Sequence, residues 1–440
     1  MTIERAAPHT RAPTAIDTAA ARMDAWLDTM RGADGYGGPV AHWWRQSLLY
    51  TGVGRDWRYE GIIDGYLLLW ERSGDGRWLA KAVGAADDLL AGQLANGHFA
   101  ASCFEINPAA AGTPHEAAAD VGLLLLALAL RAAGRPDAER YAAGALRNMH
   151  AFYLGQLWDE QAQSFRDDPR VPSFVPNKAA TACDALFLLA DLTGDSGWVE
   201  RYALPNARRI LMHQVRGGPL AGAIAQNSFG QRVVEKYFPI YIARCVPALL
   251  RAYHWSNEGQ FAEGALAAMR FVARWLGPDG AIPTAIYANN RASRGPSWVA
   301  PLGDVLRAAA ALRPLGFAAD FSACEARLLA GQDATGGIQT ATGFALQAGG
   351  RAPALPDLRD VLHVVGWCDK AFRYLAAQSS GVLPASASAP FSAECMLNGQ
   401  RFTLNEMPDA LELRQRGTLA YQWRKGAPWA HTRHPAFWLN

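Results

Sequence analysis

The segment KAATACDALFLLADLTGDSGWVERYA, residues 178–203, decides the architecture. Its first half is apolar on every side except for Asp184, near the front. A helix without a polar face is buried all round. Gly194 then ends that helix, and Asp195-Ser196 cap the next. The second half sets Glu200 and Arg201 against apolar positions at helical spacing, which predicts an amphipathic outer helix. Residues 65–82, GYLLLWERSGDGRWLAKA, repeat the pattern.

Twelve helical stretches alternate in this way along the chain. The amphipathic ones are 15–31, 76–96, 137–157, 197–215, 258–276 and 317–331. The apolar ones are 58–73, 115–133, 178–193, 233–256, 296–314 and 358–377. Six wet helices around six dry ones predict an all-α fold, an (α/α)6 barrel or toroid, over residues 1–380. Turns from a dry helix to the next wet one are short, as at 73–76 and 134–137. Connections from wet to dry are long and several open on a glycine-led strand signal, such as Gly97-His98-Phe99 and Gly337-Ile338-Gln339. A site is therefore expected among these loops, at the N-terminal ends of the inner helices. Residues 381–440 read as a Ser-Ala-rich linker and a β-hairpin tail packed on the barrel, with Asn398-Gly399 as a hairpin turn.

Composition narrows the classes. Half of the 440 residues are apolar, 19% are charged and the formal net charge is +2. No basic block supports nucleic-acid binding. The N-terminus has no apolar secretory core, and the longest apolar run, Val121–Leu130, is too short to span a bilayer. These features predict a cytoplasmic protein without a membrane partner. Six cysteines form no CxxC pair, so no metal and no cofactor is expected; the pattern says nothing of oligomeric state.

Five aspartates recur near the fronts of the dry helices: Asp64, Asp120, Asp184, Asp304 and Asp369, with Arg244 at the sixth place. A carboxylate on an apolar helix is costly unless it has a partner or a task. Glycoside cleavage needs one protonated and one ionised carboxyl group. Asp120 precedes the run Val121–Leu130, where desolvation would keep it protonated, so it is assigned as the acid and Asp64 as its partner. Glu60 and Glu116 each stand one turn earlier on the same faces. His115 opens its helix, placed to bind a hydroxyl or relay a proton. Glu235 and Tyr237 open the fourth dry helix, and Tyr237 with Arg244 is a lyase-type fallback. Asp360 and His363, three apart, share a face of the last dry helix. Trp44, Arg58, Tyr59 and Trp298 fall on the loop side, where rings stack on sugars and arginine meets a carboxylate.

The dry helix, polar turn and aromatic of 185–203 and 65–82 resemble the hairpins of the six-hairpin glycosidase superfamily. The resemblance covers residues 15–377 and is nearest in style to the unsaturated glycuronyl hydrolases, although their expected Arg-Gly-Asn-Gly-Trp stretch is absent. It implies a glycoside hydrolase whose partner is an anionic, uronic-acid-containing oligosaccharide, with Asp64 and Asp120 matching the family's aspartate pair. Related barrels imply a polysaccharide lyase or a sugar epimerase as alternatives. A terpene-cyclase-like toroid is a further alternative, through the loop LLAGQDATGGI at 328–338, as is a non-catalytic glycan-binding scaffold. An acid-lined cavity separates sugars from polyenes.

Overall fold

The computed structural model describes residues 12–41, 48–50, 55, 57–100, 116–293, 295–348 and 354–426. Its helices are α1 (Ala15–Met30), α2 (Trp57–Ser73), α3 (Gly76–Ala91), α4 (Glu116–Ala132), α5 (Ala138–Asn148), α6 (Pro176–Thr193), α7 (Leu204–Met212), α8 (Pro239–Ser256), α9 (Gly259–Ala273), α10 (Leu302–Ala311), α11 (Ser322–Ala330), α12 (Leu358–Val361) and α13 (Val365–Gln378). The outer layer also has π-helical runs at Met149–Leu157 and Val199–Ala203.

The six apolar helices close a ring: α2 packs on α4, α4 on α6, α6 on α8, α8 on α10, α10 on α13, and α13 back on α2. Each also packs on the amphipathic helix that follows it through a short turn, as α4 does on α5 and α8 on α9. The exception is α13, whose outer partner is α1, so the two ends of the barrel are joined. The fold is the expected (α/α)6 toroid. No described helix is long and apolar enough to cross a membrane.

Local chemistry sets the boundaries. Thr14 and Asp17 form a capping box at the start of α1, and Gly194, with φ of 71°, closes α6 in the left-handed region. Tight packing of α10 on α13 needs Gly303, where a Cβ would lie 2.2 Å from the Lys370 carbonyl. Three inner helices start later than the periodicity suggests. Helix α8 begins at Pro239, whose fixed φ suits a first helical position. The preceding Lys236-Tyr237 pairs with Ile286-Tyr287 as strand. Ser297-Trp298 likewise pairs with Ala341-Thr342 before α10. The last stretch breaks into α12 and α13, leaving His363 between them, so Asp360 and His363 do not share a helix face.

The glycine-led loops carry a recurring clamp. Gln93, Gln214 and Gln332 donate to the carbonyls of Gly97, Gly222 and Gly336 in their own loops. The same amides donate to Gly144, Gly264 and Ala19 on the next outer helix. Each loop is thereby fastened to its neighbour, which gives the long-loop end a fixed rim.

Four antiparallel strands follow the linker: Phe391–Leu397, Gln400–Glu406, Ala410–Gln415 and Thr418–Arg424. Asn398 and Gly399, with φ of 50° and 74°, make the first turn. The sheet meets the barrel through a buried polar node. Glu406 accepts from Trp26 Nε1 at 2.8 Å, Lys425 Nζ at 2.8 Å and His363 Nδ1 at 3.0 Å. His363 Nε2 faces Asp333 at 2.8 Å.

Candidate functional site in the barrel channel

The inner helices bring their charged residues to a cavity on the barrel axis. Its walls are Glu60 and Asp64 of α2, Val121 and Leu125 of α4, Asp184 of α6, Ala243, Arg244, Pro247 and Arg251 of α8, Asp304 and Arg307 of α10, and Arg373 of α13. Its enclosed volume is about 110 Å³, and it continues into open solvent at the mouth. Four carboxylates face four guanidinium groups.

A lattice of ion pairs forms the floor. Glu60 Oε1 accepts from Arg244 at 3.0 Å and Arg373 at 2.7 Å. Arg244 also donates to Asp184 Oδ2 at 2.7 Å, and Arg373 Nε donates to Asp304 at 3.0 Å. Burial pushes the Glu60 carboxyl up, but Arg244, Arg373 and Lys370 outweigh it and hold the group at about 2. Asp304 is opposed by burial in the same way and is lowered by Arg373, Lys370 and Arg307. Both are ionised, so neither can act as an acid near neutrality.

Higher in the cavity the pairing loosens. Asp64 has one charged partner, Arg307, at 3.0 Å. Asp184 Oδ1 is buried without a hydrogen bond, 3.9 Å from Arg251 Nε. Exposure shows which end is open. It rises from 8% at Glu60 to 15% at Asp64, from 10% at Arg244 to 35% at Arg251, and from 11% at Asp304 to 30% at Arg307. Each rise runs toward the helix C-terminus. The cavity therefore opens at the short-turn end, opposite the end that the loop lengths favour. Negative helix ends suit the cations Arg251 and Arg307 found there.

Asp120 is not on this wall. It lies beside Val121 but turns toward Glu116 and the outer layer, with no exposed surface. Neither of its oxygens has a hydrogen-bond partner. Burial drives its carboxyl far above the ordinary range, and the charge of Glu116 adds to the shift. Around it, Glu116 accepts from Phe99 N at 3.2 Å and Asn148 Nδ2 at 2.5 Å, while Tyr153 Oη accepts from Ala117 N at 2.6 Å. Asp64 and Asp120 thus stand on neighbouring helices, one lining the cavity and one enclosed behind it.

The other expected site residues divide. Asp184, Asp304, Glu60 and Arg244 meet in the cavity. Asp369 is wedged between α13 and α2, where a Cβ on Gly61 would lie 2.5 Å from its Oδ2. Burial raises its carboxyl to about 7 against the pull of Lys370 and Arg373. Tyr237 is buried on its strand against Phe271 and is not on the cavity wall, so it does not join Arg244. Glu235 beside it is exposed. Tyr59 is buried and accepts from Tyr36 N at 3.0 Å. Arg58 is buried over the Trp57 ring, and Trp298 is buried against Trp367. Trp44 and His115 lie outside the described residues. The helix spacing left Arg251, Arg307 and Arg373 unassigned, although they stand seven, three and four residues after Arg244, Asp304 and Asp369. Those intervals place them on the same helix faces.

His363 binds structure together. Burial lowers its pKa, but hydrogen bonds and charge from Asp333 and Glu406 outweigh this and raise it to about 9. Its unfolded value is near 6.5. Its contribution is therefore complete below pH 6.5 and is lost as pH rises through 9, on the order of 3 kcal/mol. Urea denaturation between pH 7 and pH 10 is expected to show this fall, and His363→Gln to flatten it. An equal fall in the variant would assign the loss elsewhere.

Six inner helices in a closed ring, each packed on an outer helix, define the class of fold as an (α/α)6 toroid. Comparison with solved structures gives the same fold. The chain is similar to a D-mannose isomerase (TM-score 0.60, 11% identity, covering 84% of this chain and 99% of that one). It is also similar to a sugar epimerase from a ruminal bacterium (0.61, 14%, 81% and 95%) and to an unsaturated glucuronyl hydrolase specific for heparin (0.57, 14%, 82% and 94%). No protein-family model and no curated protein sequence matches the chain.

Proposed function

We propose that this protein is a carbohydrate-active enzyme, a glycoside hydrolase-like catalyst acting on an anionic, uronic-acid-containing oligosaccharide. Asp120 is its general acid and Asp64 its partner. The observation that carries this is Asp120: a wholly buried carboxyl group without a hydrogen bond, its pKa raised by burial and by Glu116, next to Val121 on the wall of an acid-lined channel. Burying such a group without a partner is costly, and a shifted acid beside a cavity is a mark of chemistry. To reach a leaving group, the Asp120 side chain must turn from Glu116 past Val121 into the channel when substrate binds. Four carboxylates on the wall favour a hydroxylated ligand over a polyene. Similarity in fold to sugar isomerases, epimerases and glucuronyl hydrolases agrees with a sugar substrate.

Acid-assisted hydrolysis protonates the glycosidic oxygen while the second carboxylate activates water or attacks the sugar. In an unsaturated uronide the same acid protonates the enol ether, and water adds. The test is incubation with saturated and unsaturated uronic disaccharides while following enol-ether absorbance. Loss of absorbance on the unsaturated substrate, abolished in Asp120→Asn and Asp64→Asn, is expected. A gain on the saturated substrate would mean elimination and would replace hydrolysis with a lyase reaction.

A further inference from the structure

We infer that the channel cavity receives its ligand's carboxylate at the short-turn end of the barrel, with Arg251 and Arg307 as the receptor and Asp184 Oδ1 accepting a hydroxyl of the same ligand. The ligand class is a sugar acid of monosaccharide size. This rests on the proposal that the channel binds a sugar, and it adds the residues that select the anionic one and the end from which it enters.

Arg251 carries the argument. Its guanidinium has only two distant ion pairs, 3.9 Å to Asp184 Oδ1 and 3.8 Å to Asp191 Oδ2. Both exceed hydrogen-bond reach, so its donors, at the cavity wall, have capacity to spare among the described residues. Arg307, on the neighbouring helix α10, spends one nitrogen on Asp64 at 3.0 Å. Two guanidinium groups on adjacent helices of one cavity wall can each donate to a planar carboxylate. On α6, at the other side of α8, Asp184 Oδ1 is buried, lines the cavity and has no hydrogen bond, although Oδ2 of the same group is held by Arg244. A buried acceptor left open is satisfied by a hydroxyl. Donors on one side and an acceptor on the other match a molecule with both a carboxylate and hydroxyl groups. A bare inorganic anion would leave Asp184 repelling it. A neutral sugar would leave Arg251 unused.

Glu60, Arg244, Arg373 and Asp304 satisfy one another at the less exposed side of the cavity, so the more exposed Arg251 and Arg307 are the cations left to meet a ligand.

Calorimetric titration of the full chain with D-glucuronate and with D-glucose tests this. Glucuronate is expected to bind at least tenfold more tightly, and Arg251→Ala and Arg307→Ala each to abolish the preference. Arg208→Ala, at an outer surface pair with Glu258, is expected to retain it. Asp184→Asn is expected to weaken both sugars while keeping their ratio above one. Equal binding of the two sugars by the wild type, or an unchanged ratio in Arg251→Ala, overturns the receptor. Preferential glucuronate binding that Arg251 controls, without turnover of any uronide, supports the receptor and overturns the catalytic proposal instead.

Discussion

Replacing Asp120 with asparagine is expected to stabilise the protein while removing its activity. The carboxyl is fully buried beside Glu116 and accepts no hydrogen bond. Its folded pKa is raised far above the unfolded value of 3.8. A raised carboxylate pKa means that the folded state holds a proton that the unfolded state releases. Relative to a neutral isostere, stability is complete below about pH 4 and is lost as pH climbs toward the folded pKa. The penalty therefore grows with pH between those limits. Asparagine cannot ionise, and its amide can donate to Glu116. Thermal or urea denaturation at pH 5 and pH 8 should show the variant's advantage growing with pH. A destabilised variant, or a gain independent of pH, would show that Asp120 has a partner and is not the strained acid. A stabilised variant with full turnover would leave the strain real and remove its catalytic meaning.

The second large effect lies in the channel floor. Glu60 Oε1 is shared by Arg244 and Arg373, and all three side chains are buried. Removing one member of a buried ionic cluster leaves charge without compensation, which costs about 3–5 kcal/mol. Glu60→Ala is therefore expected to lower stability by that amount. Glu60→Gln keeps an acceptor but loses the charge, and should cost less. Pairing Glu60→Leu with Arg373→Met is expected to lose less than the sum of the single changes, because the second removes a cation that the first strands. A Glu60→Ala variant within 1 kcal/mol of wild type, a bound set by ordinary surface substitutions, would mean that solvent fills the floor.

The barrel was legible because its signal is long. Twelve alternating helices, capped at turns such as Gly194-Asp195, repeat one pattern, and a pattern repeated six times leaves little room for another fold. The aspartates were legible as a set but not in their aim. A helix turns about 100° per residue, so equivalent sequence positions face different ways when helices rotate slightly. Helix α4 presents Val121 and Leu125 to the channel, and Asp120 turns outward. Helix α13 presents Arg373, and Asp369 seals its contact with Gly61. Loop length and the charged cavity point to opposite ends of the barrel. The long connections are fastened by Gln93, Gln214 and Gln332, while the charged cavity opens through the short-turn end. Gln93 and Gln332 each stand four residues before the glycine they hold and Gln214 stands eight before Gly222, so the clamp recurs without one fixed spacing. The spacing of Asp360 and His363 points to a shared helix face, but the chain breaks between them and His363 finds other partners. Its partners, Asp333 and Glu406, come from parts of the chain that no local pattern connects.

Diffraction from crystals soaked in an unsaturated uronic disaccharide, using the Asp120→Asn variant, is the most direct measurement. The sugar is expected in the barrel channel, its ring between Asp64 and Asp184 and its carboxylate on Arg251 and Arg307. An empty channel with the sugar seated among the long loops would contradict it.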